Sequence, residues 1–365
     1  MSEKILIVDD EATNLHVLYG ILRPFYPVVA ATSGAAALEL VRDSPPDLIL
    51  LDVMMPGMDG YQVCRLLKQD PVTQAIPVIF VTALTSTADE VHGFELGAAD
   101  YMTKPVRPAV VLARIRNHLE LRRHRERLST EREMIERVIL RMHQVPDFES
   151  TRMQTLIKPA EKTTGDLLCS AVTPQGVRHL LLGDLTGHGL VAAIGGPMVT
   201  DIFYSMSRKG CPMTDILAEI NRKVHSRMAT GMFLAATAVS CSADGTEGLQ
   251  LWNFGLPDAL LLMEDRPPVR FPSLHPPLGI VDPLQLATVG QDFAAVSGST
   301  LFLYSDGLIE ISNASGTWLG ETLLCDWLQR MMTDGLDLEW FNTVLEEFHA
   351  GVQQVDDLTL VRFNL

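Results

Sequence analysis

The chain has few cysteines, and its five are scattered over 365 residues without a Cys-x-x-Cys pair. This pattern argues against a disulfide framework or a cysteine-type zinc site, and it indicates reduced thiols. No run of 18 apolar residues occurs, and the apolar stretch that follows Lys4 is too short for the core of a signal peptide. We therefore expect a cytoplasmic protein that does not enter a membrane.

Positive charge is also scarce. The chain has 29 lysines and arginines against 45 aspartates and glutamates, and its net charge of −16 argues against general binding of nucleic acid. The exception is the stretch 106–145, which holds ten arginines, but five glutamates alternate with them as on a salt-bridged helix. A DNA-binding regulator is therefore a poor fit. The length predicts two domains.

Apolar runs and helix-like stretches alternate over residues 1–120. Continuous apolar strands between helices predict a doubly wound α/β fold, in which both faces of a parallel sheet are covered. Ligands of such sheets bind at the carboxyl ends of the strands, so the residues at those ends are site candidates. The runs are KILIVDD (4–10), PVVAAT (27–32), DLILLD (47–52), PVIFVTA (77–83) and ADYMTKP (99–105).

Acidic side chains end two of these strands, since Asp9 and Asp10 end the first and Asp52 ends the third. Three carboxylates at one edge would repel one another, and Mg²⁺ would relieve the repulsion because it prefers oxygen ligands. Thr82 and Lys104, at the ends of the fourth and fifth strands, can meet phosphoryl oxygens while Asp52 acts as a nucleophile. The plainer alternative is that strand ends simply carry polar residues, but five separate positions agree.

These motifs resemble the receiver domain of bacterial two-component response regulators. The matching segments are ILIVDDE, DLILLDVMMPGMDGYQVCRLLK and GAADYMTKP. The resemblance implies a five-stranded sheet, a sensor histidine kinase that phosphorylates Asp52, and a cis peptide bond before Pro105. It also implies a Mg²⁺ site formed by Asp9 or Asp10, Asp52 and the carbonyl of Met54. Thr82 and Tyr101 would form a conformational switch, and Lys104 would contact the phosphoryl group.

A charged stretch, residues 121–146, follows this region. Apolar residues recur every seven positions at Leu121, Leu128, Ile135 and Met142, and arginine and glutamate fill most of the rest. So thin a stripe fits two arrangements: a solvated helix on its own domains, or a parallel two-chain coiled coil that makes a homodimer. We expect a long helix at 121–146 that joins domains at 1–120 and 147–365.

Hairpin-linked strands and paired helices follow residue 147 and predict an α+β sandwich. Aspartates mark its strand ends: Asp166 opens a strand, Asp184 and Asp306 close strands, and Asp356 with Asp357 opens the last one. Buried strands do not tolerate unpaired carboxylates, and several aspartates together suit Mg²⁺ or Mn²⁺ better than zinc. Two such ions would clamp a phosphate and generate hydroxide, although each motif alone is more often an ordinary turn.

The order and spacing of these motifs resemble the protein phosphatase 2C superfamily, in its bacterial sporulation and stress-response branch. The matching segments are TGDLL (164–168), GDLTGHG (183–189), NFGLPDALL (253–261), PPLGI (276–280), LYSDGLIE (303–310) and DDLTLV (356–361). The resemblance implies a four-layer sandwich and a metal-dependent serine/threonine phosphatase. Two metal ions would be held by Asp184 as the bridge, by Asp166 and the carbonyl of Leu185 at the second ion, and by Asp306 and Asp356 at the first.

Two motifs depart from the family pattern. In the first motif, Thr164 stands in place of a glycine and Cys169 in place of the second acid. In another motif, Leu256 stands in place of histidine, and these changes put metal affinity or substrate fit in question. His188 fits two roles, a general acid or a cap of the following helix, and Asp357 is a further catalytic candidate.

The combined resemblance implies a response regulator in which phosphorylation of Asp52 controls a phosphatase. In the resembled branch the substrate is a phosphoserine or phosphothreonine protein, commonly an anti-sigma-factor antagonist of a partner-switching pathway. The alternative is a phosphatase-like adaptor that binds a regulatory partner with weak or no turnover. Retention of Asp166, Asp184, Asp306 and Asp356 favours activity.

Overall fold

The structure is a computed structural model, and it describes residues 3–83, 87–142, 148–187, 189–243, 248–264, 266–282, 289–294 and 298–365. The chain divides into two compact units, Met1–Arg132 and Glu133–Leu365. Each unit has its own sheets and its own core.

Five parallel strands form the sheet of the first unit, in the order β2-β1-β3-β4-β5, so the doubly wound fold predicted from the sequence is confirmed. The strands are β1 (Ile5–Val8), β2 (Val28–Ala31), β3 (Leu48–Leu51), β4 (Val78–Thr82) and β5 (Asp100–Thr103). The helices are α1 (Ala12–Leu22), α2 (Gly34–Asp43), α3 (Gly60–Gln69), α4 (Thr87–Glu95) and α5 (Pro108–Met142). Strands β1, β3 and β4 are buried throughout, because helices cover both faces.

Helix α5 is longer than the joining helix expected at 121–146. It begins at Pro108 and continues through 35 residues to Met142. No glycine or proline occurs between Pro108 and Pro146 to interrupt it, and residues 143–147 lie outside the described part of the chain. The joining segment is therefore the continuation of the last receiver helix, and the two compact units divide within it, after Arg132.

Two antiparallel sheets form the second unit, in the orders β13-β10-β9-β8-β7 and β12-β11-β14-β15-β6. The strands are β6 (Met153–Lys158), β7 (Asp166–Val172), β8 (Val177–Leu185), β9 (Leu234–Ser242), β10 (Leu249–Phe254), β11 (Ala259–Met263), β12 (Arg266–Phe271), β13 (Gln291–Phe293), β14 (Thr300–Tyr304) and β15 (Leu358–Asn364). The helices are α6 (Gly189–Ala193), α7 (Gly196–Arg208), α8 (Met213–Arg227), α9 (Asp306–Ile309), α10 (Gly320–Thr333) and α11 (Leu338–Phe348).

Three apolar clusters divide this unit into four layers. One cluster joins α7 and α8 to the first sheet, the second fills the space between the two sheets, and the third joins the second sheet to α10 and α11. Alternate residues of each strand therefore face a helix layer or the other sheet. The predicted four-layer sandwich is confirmed, and it brings the ends of strands from both sheets to one edge.

One apolar segment, Gly189–Arg208, is long and apolar enough to cross a membrane by length and composition alone. Its apolar window is 56% buried inside the unit, and Val199, Ile202 and Phe203 belong to the core between the helices and the first sheet. The apolar character of this segment is therefore explained by its packing in the core of the sandwich.

Close packing at Gly60 gives a test of the first unit. A Cβ added at Gly60 would overlap the backbone carbonyl of Asp52, whereas one added at Gly20, in α1, would meet no other atom. We expect Gly60→Ala to cost about 2–3 kcal/mol of unfolding free energy through overpacking. Gly20→Ala should instead stabilise the unit by about 0.5–1 kcal/mol.

Hydrogen exchange of the amides of β1 and β3 in mild denaturant would measure both effects in the full chain. All four tryptophans, at positions 252, 318, 327 and 340, belong to the second unit, so an unchanged tryptophan fluorescence transition is the internal control. Protection of Gly60→Ala equal to that of the parent chain would contradict the packing argument.

Candidate functional site

Three aspartates meet at the carboxyl edge of the first sheet. Asp9 and Asp10 follow β1 and Asp52 follows β3, and one carboxylate oxygen from each lies within 4.8 Å of the others. Asp9 and Asp52 are buried, while Asp10 is exposed. Neighbouring parallel strands place these residues together, as expected from the sequence. A compact set of oxygen donors open on one side fits Mg²⁺.

Lys104 partly neutralises this cluster. Its Nζ lies 2.7 Å from Oδ2 of Asp9 and 2.8 Å from Oδ2 of Asp52. Burial alone would lower the pKa of Lys104, but the hydrogen bonds to Asp52 and Asp9 outweigh it and raise the pKa. The cis peptide bond between Lys104 and Pro105 is present. The lysine therefore keeps its charge beside Asp52.

The other expected receiver residues surround the same edge. Thr82 is fully buried at the end of β4, and its carbonyl accepts the backbone N–H of Lys104 at 2.8 Å. The backbone N–H of Met54 donates to Oδ1 of Asp52 at 3.4 Å, while the Met54 side chain is exposed. Tyr101 in β5 is buried and makes an edge contact with Phe80. Burial, with nearby Tyr61 and acidic groups, raises the pKa of Tyr101 to about 12.

Strand pairing in the second unit brings together the other aspartates. Asp166 at the start of β7 pairs directly with Asp184 near the end of β8. In the other sheet, Asp306 follows the end of β14 and Asp356 precedes β15, and these two strands are paired as well. Ser305 bridges the sheets, because its hydroxyl donates to Oδ2 of Asp166 at 2.7 Å and accepts the backbone N–H of Thr359 at 3.0 Å.

The charges of these aspartates are poorly compensated. Burial raises the pKa of Asp184 to about 9, and the carboxylates of Asp166, Asp306 and Asp356 add to the rise. Burial likewise raises the pKa of Asp166 to about 7, against the hydrogen bond from Ser305. In the described part of the chain, no lysine or arginine forms an ion pair with Asp166, Asp184 or Asp306. This donor set of carboxylates fits divalent cations.

The two acidic clusters differ in how tightly their oxygens meet. Among the described residues, only the receiver triad brings three ligand oxygens within 4.8 Å of one another. The carbonyl of Leu185 lies at the same edge as Asp166, since a Cβ added at Gly165 would lie 3.0 Å from the Leu185 oxygen. The predicted phosphatase residues are thus neighbours on one edge, but they are spaced more widely than the receiver triad.

Asp357, a catalytic candidate from the sequence, uses both carboxylate oxygens to accept backbone hydrogen bonds. Its Oδ1 accepts the backbone N–H of Ala160 at 2.8 Å, and its Oδ2 accepts that of Gly165 at 2.7 Å. Both carboxylate oxygens therefore hold the loop 159–165, which leads directly into Asp166. We assign Asp357 a positioning role and do not carry it forward as a catalytic candidate. His188 lies outside the described residues.

Comparison with known proteins accounts for both halves. Residues 174–365, over half of the chain, match the family model of Stage II sporulation protein E, and residues 5–116 match that of the response regulator receiver domain. The chain belongs to the SpoIIE family. A receiver domain is fused to its phosphatase 2C-like domain, and both types of domain generally use divalent metal ions. This combination supports a regulated protein phosphatase.

Individual relatives cover only parts of this SpoIIE family member. It is 48% identical to the response regulator PleD of Caulobacter vibrioides over 118 residues, which are 32% of this chain and 26% of PleD. It is 34% identical over 216 residues to a Vibrio cholerae protein named "Probable cyclic di-GMP phosphodiesterase", covering 58% of this chain and 47% of that one. The chain thus spans less than half the length of these two relatives.

A solved structure shares the fold of the second half. The SiaA-PP2C domain of Pseudomonas aeruginosa aligns with a TM-score of 0.54 at 18% identity, covering 66% of this chain and 98% of that domain. At this identity the likeness shows the fold alone, a sandwich of two sheets between helices.

Two departures from the phosphatase pattern, Cys169 and Leu256, lie away from the acidic edge. The third, Thr164, lies beside it, because its hydroxyl accepts the backbone N–H of Asp166 at 3.0 Å. Cys169 is fully buried among apolar residues on the helix-facing side of β7, and Asp166 faces the other sheet. Burial raises the pKa of the Cys169 thiol far above its usual value. Leu256 is buried between the two sheets. In this SpoIIE family member neither change removes a side chain from the aspartate cluster.

Glu310 is a neighbour of the cluster that sequence reasoning missed. It follows the short helix α9, whose first residue is Asp306, and burial together with the charges of Asp306 and Asp356 raises its pKa. It lies at the end of the quoted segment LYSDGLIE. Its spacing of four residues from Asp306 on one helical turn could have identified it.

Removal of one charge from this cluster should have opposite effects with and without metal. Without divalent cations, we expect Asp184→Asn to raise the unfolding temperature of the second unit by about 3–6 °C, because it relieves repulsion among the clustered, part-buried carboxylates. Mn²⁺ should raise the unfolding temperature of the parent chain and leave that of the variant nearly unchanged.

Thermal unfolding followed by tryptophan fluorescence measures this, since every tryptophan belongs to the second unit. Asp326→Asn, at an exposed position of α10, is the matched control and should behave as the parent chain does. An equal response of Asp184→Asn and the parent to Mn²⁺ would argue against a metal centre at these aspartates.

Proposed function

We propose that this protein is a metal-dependent protein serine/threonine phosphatase whose activity is set by phosphorylation of Asp52. The observation that carries the proposal is the cluster of four mutually repelling aspartates, Asp166, Asp184, Asp306 and Asp356, at one edge of a SpoIIE-type sandwich. A structural role alone would not favour keeping four carboxylates together, one buried and three part-buried, where they repel one another.

The four aspartates and the Leu185 carbonyl would divide between two metal ions. Two Mg²⁺ or Mn²⁺ ions would be held here: Asp184 would be the ligand that both share, Asp166 and the Leu185 carbonyl would serve one ion, and Asp306 and Asp356 would serve the other. Bound ions would supply a hydroxide nucleophile and polarise the phosphoryl group. Ser305 orients the Asp166 carboxylate through its 2.7 Å hydrogen bond.

The loop 159–165, which precedes Asp166, is held in place by Asp357. The carboxylate of Asp357 accepts the backbone N–H groups of Ala160 and Gly165 in this loop. A Cβ added at Gly307 would overlap the backbone carbonyl of Asp357, so glycine is needed for this approach. These contacts fix the start of β7 relative to β14 and β15, and hence fix Asp166 relative to Asp306 and Asp356.

The proposed partners follow from the two domains. A sensor histidine kinase would donate a phosphoryl group to Asp52, whose carboxylate lies beside Lys104. Asp9 or Asp10 would hold Mg²⁺ together with Asp52. The phosphatase would act on a phosphoserine or phosphothreonine protein, and an anti-sigma-factor antagonist in a partner-switching pathway is the substrate that we favour. We place the protein in the cytoplasm, with neither nucleic acid nor membrane as a partner.

Hydrolysis of a chromogenic phosphate ester and of a phosphoserine peptide with Mn²⁺ tests the activity. We expect Asp184→Ala to lower the rate at least about a hundredfold, and Asp326→Ala to leave it unchanged. Equal rates for the parent and Asp184→Ala would remove the phosphatase proposal. A parent chain with negligible turnover that still binds a regulatory protein in a phosphorylation-dependent way would favour the adaptor alternative.

The end of α5 contacts the loop that precedes Asp166. Glu136 and Ile139 are buried, and Oε2 of Glu136 lies 3.9 Å from Nζ of Lys162. Lys162 belongs to the loop 159–165 that Asp357 holds. A shift or rotation of the α5 end would therefore reach Asp166 through this loop. We propose the Glu136–Lys162 pair as one element that couples the receiver to the phosphatase.

Charge reversal tests this coupling. We compare the phosphatase rates measured with and without beryllofluoride, a phosphoryl mimic at Asp52. Glu136→Lys or Lys162→Glu alone should move the ratio of these two rates about two- to fivefold toward one. The double variant Glu136→Lys/Lys162→Glu should recover much of that ratio, because it restores the ion pair. Full retention of the ratio in both single variants would exclude the pair as a coupling element.

The remaining apolar stripe of α5 supports a homodimer. Leu121, Leu128, Ile135 and Met142 are 46%, 65%, 47% and 58% exposed, so the described residues of one chain leave about half of this apolar stripe open to solvent. We propose that it pairs with a second copy as a parallel coiled coil. Sedimentation should show a dimer that Leu128→Glu disrupts and that Arg125→Glu, off the stripe, does not. A monomer at high concentration, with and without beryllofluoride, would contradict the dimer.

A further inference from the structure

A cavity of about 310 Å³ lies at the end of the first sheet of the second unit that is opposite the aspartates. Its floor is the helix-facing side of β8, β9 and β10, and its wall is the turn between α7 and α8. His179 lines it five residues before Asp184 in the same strand, a separation of about 16 Å. The cavity is therefore distinct from the metal site.

His179 directs an unpartnered nitrogen toward this cavity. The residue is 2% exposed, and its Nδ1 lies 3.0 Å from the hydroxyl of the buried Ser207. Within the described part of the chain, Nε2 has no hydrogen-bond partner. This nitrogen keeps some solvent-accessible surface, although the residue as a whole is buried. It therefore opens to the cavity that His179 lines. A buried ring nitrogen in this state is ready to hydrogen-bond a ligand.

The character of the lining limits what can bind. Among the residues that the structure describes, no aspartate, glutamate, lysine or arginine lines the cavity. Burial lowers the pKa of His179 to about 4, so the ring is neutral at physiological pH. A charged ligand would lose its hydration here without gaining a counter-charge. The ligand is therefore expected to be neutral.

The shape and polarity of the cavity narrow the class of ligand that can bind. Trp252 and Met213 give the cavity an apolar wall, while Gln175, Gln250 and Thr214 add side chains that can donate or accept hydrogen bonds. The volume is at the low end for ligand sites and suits a molecule of about ten to twelve non-hydrogen atoms. Four of the lining residues also border a wider cleft of about 870 Å³, which provides a route of entry.

We propose that this cavity binds a neutral, planar nitrogen heterocycle of the size of a nucleobase. One ring nitrogen of the ligand pairs with Nε2 of His179, and its ring plane packs against Trp252. Because Ser207 can either donate to or accept from Nδ1, the imidazole can present Nε2 as acceptor or donor, so the ligand nitrogen can be N–H or bare N.

Cys211 provides the test, because it lines the cavity and is half-buried, while the other four cysteines are buried. Alkylation of the full chain by N-ethylmaleimide, followed by peptide mass spectrometry, would report its access. We expect millimolar benzimidazole or adenine to slow modification of Cys211 about threefold or more. Benzamidine, which is similar in size but positively charged, should give little protection.

Variants separate the cavity from nonspecific effects. Thr214→Trp should fill the space and His179→Phe should remove Nε2, and each should abolish protection by the heterocycles. Lys209→Trp places the same bulk on the exposed surface nearby and should retain it. If His179→Phe does not fold, Thr214→Trp still decides. The proposal would be overturned if neither heterocycle slowed modification of Cys211 in the parent chain. It would also be overturned if the heterocycles protected Cys211 as well in Thr214→Trp as in the parent, or if benzamidine protected the parent as well as they do.

Discussion

Repulsion between clustered carboxylates is the constraint on which both halves of this protein depend. In the first unit Lys104 lies within 2.8 Å of both buried aspartates, so the site is part-neutralised and one further cation or phosphoryl group completes it. In the second unit Asp184 faces the charges of three other aspartates, and burial together with these charges raises its pKa to about 9. The balance there requires a cation or a proton from outside.

The surrounding fold can be understood as the support for that second cluster. Cross-strand pairing sets Asp166 opposite Asp184, Ser305 joins the two sheets through its hydroxyl, and Asp357 fixes the loop before Asp166. The four-layer sandwich supplies rigid strands whose ends meet at one edge. Such support is what a site needs when its ligands would otherwise move apart.

Much of this arrangement follows from local sequence. Apolar runs such as LILL in β3 predict buried parallel strands, and the acids that end them predict an edge site, because both depend on neighbouring residues alone. Strand β6 was not predicted, since it is an edge strand with a mixed exposure pattern and no continuous apolar run. The roles of Asp357 and Glu310 were not predicted either. Asp357 acts on backbone groups nearly two hundred positions away, and Glu310 is placed by folding beside Asp356.

The joining helix shows the same limit. Its sequence indicates a long charged helix, but its start at Pro108 depends on packing against the receiver sheet, through Val111, Ile115 and Leu119. Glu136 is buried although it lies in a stretch of alternating charge, and nothing in the neighbouring sequence predicts its burial. Contacts that transmit a change between distant groups are tertiary, and a single sequence does not record them.

The central claim is that the aspartate cluster of the second unit is a two-metal centre. Counting bound Mn²⁺ by electron paramagnetic resonance, in the full chain and in Asp184→Asn, tests it most directly. The account predicts that the variant binds about two ions fewer than the parent chain, because the bridging ligand is lost. Equal numbers of bound ions in the two proteins would contradict it.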